Sequence, residues 1–554
     1  MSDKNLSGTE KIKMASRGLR GTLSESLGDS YTGAIREDDQ SLSKFHGMYQ
    51  QDDRDRRLER SAKKLEPLYS FMCRLRLPGG FLTAQQWMML HDVAGKHSTG
   101  TIKITTRQTI QLHGILKSHI KPTMHSFNLN GLDSIATCGD VNRNVCVSSI
   151  PAQSAIHEEI FGYAKKISEM AKPKTRAWYE IWLDEEKIGE KVEDDPLYQN
   201  RYLPRKFKVG IAIPPHNDID ILINDCALIA IIENGELKGF NIAAGGGLGA
   251  THGNENTYPR LASVLGFVEN DEQKILKAVY EVITVQRDFG NRSDRKQARI
   301  KYTIDKLGVD RYREEVEKRL GFKLQEARPF EFTERKDWYG WVKDYKGNWH
   351  YTVFVENGRI LDENGLQLKT ALLEIAETGL AGFRFTVNQN VILSDINEED
   401  KHTIDTLLRK YRIIEHTDNA GALRKNAIAC VALNTCGLAL AEAQRYLPTL
   451  ISKIEPLLDK HGLQNDEIIL RMTGCPNGCG RSPNAEIGFV GTALGKYNLH
   501  IGGDRLGLRL NTKYKDSLNE EQILSTLDEL FGVYVSEKNE GETFGDFSYR
   551  KYIA

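Results

Sequence analysis

Thr473-Gly474-Cys475-Pro476-Asn477-Gly478-Cys479-Gly480-Arg481-Ser482 cannot sit in a regular helix, because Pro476 removes a backbone donor and Gly478 and Gly480 favour turns. The stretch reads as a loop carrying two thiols four positions apart. A second pair stands upstream, Cys430 and Cys436 in Ala429-Cys430-Val431-Ala432-Leu433-Asn434-Thr435-Cys436-Gly437. Four thiols in two tight clusters within about fifty residues suggest a metal site. Zinc and iron are the metals that take four thiolates, iron as an iron-sulfur cluster. Paired zinc cysteines usually have two to four residues between them, and Cys430 and Cys436 have five. The wider spacing favours a cluster. Four ordinary buried cysteines are the alternative, since free Cys is among the most buried residue types, and the Pro/Asn/Gly loop weighs against it.

The whole pattern is Cys430, five residues, Cys436, thirty-eight residues, Cys475, three residues, Cys479, with the second pair written TGCPNGCGRS. It resembles the sirohaem and 4Fe-4S motif of the sulfite and nitrite reductases, most closely their NADPH-dependent haemoprotein (beta) subunits, from about Phe45 to Phe547. The resemblance implies an α+β fold, internally duplicated, with two fused ferredoxin-like halves and two α/β sirohaem-binding domains in pseudo-two-fold symmetry. It implies six-electron reduction of sulfite to hydrogen sulfide in sulfate assimilation and cysteine biosynthesis. The cofactors would be sirohaem and one 4Fe-4S cluster, held by Cys430, Cys436, Cys475 and Cys479, with Cys479 bridging the two centres. NADPH, FAD and FMN would act only through a flavoprotein alpha subunit, in a hetero-oligomer. A ferredoxin-dependent sulfite reductase and a sirohaem nitrite reductase are the nearest alternatives; a non-catalytic zinc protein is a remote one.

A chain of 554 residues is too long for one core, so two to four domains are expected. A formal net charge of -1 gives no electrostatic case for nucleic acid or an anionic membrane. The N-terminus has no apolar core like that of a signal peptide, and the longest apolar runs, such as Ala227 to Ile232, are too short to span a bilayer. A cytoplasmic protein is expected. A reducing compartment argues against disulfides, which leaves Cys73, Cys138, Cys146 and Cys226 as core or site-lining thiols.

Residues 1–64 are polar and charge-dense, which fits a solvated arm; by resemblance, Phe45 to Asp53 fits a partner-binding or core-wrapping segment equally well. Beyond it the chain repeats. Phe71 to Leu77 reads as a strand, Pro78-Gly79-Gly80 as a turn, Thr83 to Val93 as a helix capped by Thr83, and Thr101 to Ile115 as two strands broken near Arg107. Trp349 to Val355, Lys369 to Glu377 and Gly382 to Leu393 repeat that order, and Ile102 to Ile110 aligns with Phe383 to Val391. Larger blocks also pair: Asn144 to Val147 with Ile428 to Val431, each before a helix (Ser154 to Ala171; Leu438 to Lys460), and Gly239-Phe240-Asn241 with Tyr497-Asn498, each before a glycine-rich turn. The division is an arm at 1–64, half-domains at 65–137 and 335–420, and larger copies at 138–334 and 421–554. A cofactor at the junction would be reached by both copies.

Sirohaem carries eight carboxylates, so a nearly neutral chain must concentrate its cations locally. By resemblance Arg74, Arg143, Lys206 and Lys208 face the open side of the sirohaem iron and bind sulfite. A small oxyanion needs positive charge and N–H donors as its oxygens leave. Arg107, Gln111, His113, Arg205 and Asn477, with Cys479, are candidate cofactor contacts. The basic run Gln286 to Lys301, with Arg287, Arg292, Arg295, Lys296 and Arg299, offers partners for the sirohaem carboxylates, but such a run is more often an exposed helix face and is left out of the site. Gly245-Gly246-Gly247-Leu248-Gly249 lacks the strand-loop-helix context of a dinucleotide loop.

Overall fold

The computed structural model describes residues 5–151, 154–174 and 195–554; positions 1–4 of the arm, and 152–153 and 175–194 of the first larger copy, lie outside the described residues. Two antiparallel five-stranded sheets form the half-domains. One runs Met48–Asp52, Tyr69–Arg74, Ile110–Ile115, Ile102–Ile104, Arg359–Ile360; the other runs Gly340–Lys343, Trp349–Val353, Val391–Ile396, Gly382–Phe385, Phe81–Leu82. Read side by side, each sheet ends on a strand lent by the other half: Arg359–Ile360 pairs with Ile102–Lys103, and Phe81–Leu82 pairs with Phe383–Arg384. The exchange ties the halves into one body and supplies a pseudo-two-fold axis. Close backbone crossing there demands glycine. A Cβ on Gly80 (φ +72°) would fall 2.9 Å from Gln108 Cβ and 3.0 Å from Phe385 O, and one on Gly358 (φ +67°) would fall 2.9 Å from Gln389 Cβ and 2.5 Å from Ile104 O. The equivalent glutamines, Gln108 and Gln389, are both left-handed.

Each larger copy holds a mixed five-stranded sheet of matching topology. Cys146–Val147, Val209–Ala212 and Cys226–Glu233 are parallel, then Glu236–Ala244 and Ser263–Glu269 turn antiparallel. Ala427–Ala429, Leu470–Thr473 and Ile487–Ala493 are likewise parallel, followed by antiparallel Lys496–Ile501 and Thr512–Leu518. No described helix is long and apolar enough to cross a membrane.

The solvated-arm reading of 1–64 is corrected among the described residues. Helices Gly8–Ala15, Leu23–Gly28 and Glu37–Ser43 precede the edge strand Met48–Asp52, and Leu19, Leu23, Leu42 and Phe45 are buried in the main core. That strand pairs with Tyr69–Arg74, so the boundary expected after residue 64 cuts a sheet. Thr83 caps helix Ala84–His97 in a capping box with Gln86. The helix expected from Leu438 starts only at Leu447. The intervening residues serve the cysteine loops instead: Leu440 N and Ala441 N donate to Gly474 O, and Gln444 N donates to Cys430 O.

Candidate active site

Parallel pairing of Ala427–Ala429 with Leu470–Thr473 sets Ala429 beside Met472, so both strands end at one edge and release Cys430 and Cys475 side by side. Cys430 N donates to Met472 O, and Gly474 N lies 3.3 Å from Cys430 Sγ. Thr473 Oγ1 donates to Cys430 Sγ at 3.5 Å and Asn477 Nδ2 to Cys475 Sγ at 3.4 Å. Such donors stabilise charge on sulfur. Burial, then Cys479, pushes the Cys430 thiol up to about 12, and burial pushes Cys436 up to about 11. Metal coordination is the ordinary way to hold such thiols deprotonated. Among the described residues no three of the four sulfurs lie within 4.8 Å of one another. Ligands of a single tetrahedral zinc would be about 3.8 Å apart. As placed, the four thiols are not gathered for a single zinc.

Above Cys479 opens a pocket lined by Thr106, Arg107, Lys206, Lys208, Arg299, Arg481, Asn477 and neighbouring backbone, with five cations and no acidic side chain. Arg299 is held from behind by both oxygens of buried Asp225 (2.9 Å each). Burial, then Arg299 and Arg143, pushes Lys206 down to about 7; burial, then Lys206, pushes Lys208 well below its usual range. Arg481, like Arg299, is paired with a buried carboxylate, Asp220, whereas Lys206 and Lys208 face a pocket lined by no acidic side chain and suit a polyanionic ligand. One orphaned buried atom, Arg107 Nε, adds to that fit.

The four cysteines, Lys206, Lys208, Arg107 and Asn477 therefore meet in one place. Arg107 is largely spent as a strut, donating to Asn224 Oδ1 (2.6 Å) and Val209 O (3.0 Å). Arg143 donates to Gly139 O (3.1 Å) and bonds Tyr49. Arg74 donates to Thr137 O and Cys138 Sγ (3.2 Å each), and the Gln111 carbonyl accepts from its Nε (2.9 Å). Neither arginine lines the pocket, though Arg143 acts on Lys206. Arg205 also stands outside the lining, beside Arg295 and Asp140; burial, then Arg295, lowers it to about 10. His113 lies away from the lining as well. Its Nδ1 is 3.0 Å from Gln51 Oε1 and 3.5 Å from Thr435 Oγ1, and burial, then Lys103, pushes it down to about 3.

Arg299, Arg481, Thr106 and Tyr49 were not singled out as site residues. Arg481 stands inside the opening motif, and Arg299 inside the basic run read as an exposed face. That reading is corrected: Arg292, Arg299 and Lys301 are buried, because the helix stops at Phe289 and the run turns inward. The Gly245–Gly249 stretch is a seat for the cysteine loop. Ala250 N donates to Pro476 O (2.8 Å), and a Cβ on Gly249 would lie 3.2 Å from Asn477 O.

A model of the nitrite/sulfite reductase ferredoxin-like half domain matches residues 64–128 and 342–411, and a model of the nitrite and sulphite reductase 4Fe-4S domain matches 162–324. The chain is 62% identical over 539 residues to the sulfite reductase (NADPH) hemoprotein beta-component of Leptospira biflexa, covering 97% of each. The chain belongs to the nitrite and sulfite reductase family. The protein of the same name from Shouchella clausii is 51% identical over 548 residues, covering 98% of this chain and 95% of that one. In the solved structures, Mycobacterium tuberculosis NirA superposes with TM-score 0.80 at 24% identity, covering 99% and 97%, a likeness of fold. The half-domain matches fall on the two strand-exchanged sheets. The 4Fe-4S domain match falls on the first larger copy, which carries none of the four clustered cysteines.

Proposed function

We propose that this chain is the haemoprotein subunit of an assimilatory sulfite reductase, which reduces sulfite by six electrons to hydrogen sulfide. The observation that carries this reading is the meeting of four thiols with a carboxylate-free pocket of five cations over Cys479. Cys430, Cys436, Cys475 and Cys479 hold a 4Fe-4S cluster, and the pocket cations hold sirohaem carboxylates. Bound together, the two groups store electrons and offer an open coordination position to substrate. Lys206 and Lys208, which line the pocket, bind the anion, and Arg74 and Arg143, outside that lining, add positive charge beside it. The lysines differ from the arginines in kind. An ammonium lowered to about 7 can give and regain a proton near neutrality, as departing oxygens require, whereas guanidinium stays charged. Asn477 shapes the cysteine loop; Arg107, Gln111, His113 and Arg205 support its surroundings.

The glycine stretch that could be taken for a dinucleotide loop is occupied in packing. In this reading electrons come from NADPH through a separate flavoprotein subunit carrying FAD and FMN, or from ferredoxin, and the working enzyme is a hetero-oligomer. The test is iron, acid-labile sulfide and the visible spectrum of protein expressed with sirohaem synthesis intact. About five irons per chain with a haem-like band are expected, and Cys479→Ser should disturb both band and cluster. Zinc without visible absorption overturns the reading. Turnover with a reduced-dye donor then separates sulfite from nitrite reduction.

A further inference from the structure

We propose that Arg54 is a positioning residue for the iron-sulfur cluster: it clamps the loop that bears Cys436 and biases the cluster toward its reduced state. The proposal rests on the cluster reading above. Residues 430–446 contain no helix or strand, so the path of Cys436 depends on what grips the loop from outside. Gly474 O holds the far side of the loop through Leu440 N and Ala441 N, and the N-terminal segment, some 380 residues away, grips the side that carries Cys436. Arg54 N donates to Asn434 O (3.2 Å), and Arg54 Nη1 donates to both Cys436 O (3.1 Å) and Ala439 O (2.7 Å). On either side, Asp53 Oδ1 accepts from Asn434 Nδ2 (2.7 Å) and Asp55 pairs with Arg445 (2.7 Å). The edge strand Met48–Asp52 fixes where this segment stands, because it is hydrogen-bonded along its length to Tyr69–Arg74.

Two physical roles follow from one guanidinium. Two loop carbonyls converge on a single nitrogen, which fixes their separation and hence the turn that presents the Cys436 thiol. A permanent positive charge also sits on the carbonyl of a ligand residue. A cluster gains negative charge when it is reduced, so a fixed cation nearby raises its potential. Lysine would keep the charge but lose the two in-plane N–H groups that Nη1 directs at the two carbonyls. Clamp and charge are therefore separable by substitution.

The experiment uses the full chain expressed with sirohaem synthesis intact, as wild type, Arg54→Gln and Arg54→Lys. The readouts are iron and acid-labile sulfide per chain, the rate of iron loss to a chelator, and a redox titration of the cluster followed by its paramagnetic signal. Arg54→Gln should lose iron several-fold faster and titrate at a lower potential than wild type. Arg54→Lys should lose iron faster while titrating close to wild type. Wild-type iron loss in the Lys variant removes the clamp; wild-type potential in a loaded Gln variant removes the charge effect. Either result overturns the proposal as stated, and the Lys variant decides if the Gln variant does not fold. Wild-type protein lacking labile sulfide overturns the cluster reading itself and this proposal with it.

Discussion

Asp220→Asn should be among the most damaging single changes outside the cysteines. Asp220 and Arg481 lie 261 residues apart and bond each other at 2.6 Å. They are also equivalent positions of the two larger copies. Val209–Ala212 and Leu470–Thr473 stand at that same separation, and each is followed by a loop ending in a left-handed residue (Asp220 φ 51°, Arg481 φ 60°) and a short 3-10 turn. The duplicated loops thus meet across the pseudo-axis with opposite charges. Arg471 (2.7 Å) and Arg335 (2.5 Å) bind the same carboxylate, and all four side chains are at most 3% exposed. Burial alone would raise the Asp220 carboxyl, yet Arg335, Arg471 and Arg481 hold it well below the usual carboxylate range. Its contribution is therefore present at every pH above about 4 and is lost only as pH falls below that value. A scan near neutrality would not reveal it, so substitution is required. Removing one partner of a buried pair costs about 3–5 kcal/mol, and three stranded guanidiniums place this case near the upper value. For a cooperative unit of about 150–250 residues, that is a fall in Tm of roughly 10–20 °C. Arg481 stands two residues beyond Cys479 and also donates to Thr106 O, so the cysteine loop should loosen with it. Calorimetry and iron content of the purified variant check both effects. A Tm within about 2 °C of wild type, with full iron, would refute the reasoning.

Lys206 should make anion affinity depend on pH. Burial, then Arg299, sets it at about 7 in the free pocket, and a bound anion raises it. Its contribution is full below pH 7 and is lost as pH rises through the anion-bound pKa. The KM for nitrite, which has no ionisation near neutrality, should rise by up to about tenfold per pH unit there. Lys206→Ala should raise KM and flatten the profile; a profile parallel to wild type would exclude the role. Gly358→Ala should cost about 1–3 kcal/mol, because its Cβ would meet Ile104 O at 2.5 Å across the exchanged strand. Gly365→Ala, at φ +79° with open space around it, isolates the dihedral cost alone, and equal losses in the two variants would remove the crossing argument.

Much of this architecture was legible because the duplication is written in local pattern. Thr83 and Gln86 announce a capped helix, and Ile102 to Ile110 aligns with Phe383 to Val391 because both stretches make the same strand, left-handed turn and strand. The strand exchange was not legible. Phe81–Leu82 and Arg359–Ile360 are two residues long and carry no periodicity. The helix from Leu438 was misjudged because the backbone donors of Leu440 and Ala441 are claimed by Gly474 O, a long-range bond with no local signature. The arm could not be decided from sequence because Arg54, Asp53 and Asp55 look like solvated charge until their partners in the Cys436 loop are known. At the site, thiol spacing is a local signal, whereas the inward turn of Arg299 depends on Asp225, a pairing that only the fold makes.

The same 261-residue separation places Cys475 and Cys479 where the first copy has Pro214 and Asp218, while Pro476 matches Pro215. The two loops keep a common duty and differ in chemistry. Each seats itself on the glycine turn of the other copy: Ala250 N donates to Pro476 O, and Asn217 Nδ2 donates to Leu506 O (2.8 Å). In the first copy Asp218 turns inward to accept from Ser149 N (2.7 Å), so its loop is purely a brace. Without the clustered cysteines, that copy supplies Lys206, Lys208 and Arg299, whose charges face Cys479 of the other. Cations packed beside one another are costly, as the lowering of Lys206 and Lys208 indicates, and thiols buried beside one another resist ionisation. Setting the two groups on opposite copies keeps like groups apart in sequence and lets the junction bring cations and thiols together. Divergence of the copies is thus what the electrostatics of such a site favours, and the reciprocal seats are what keeps the diverged surfaces in register.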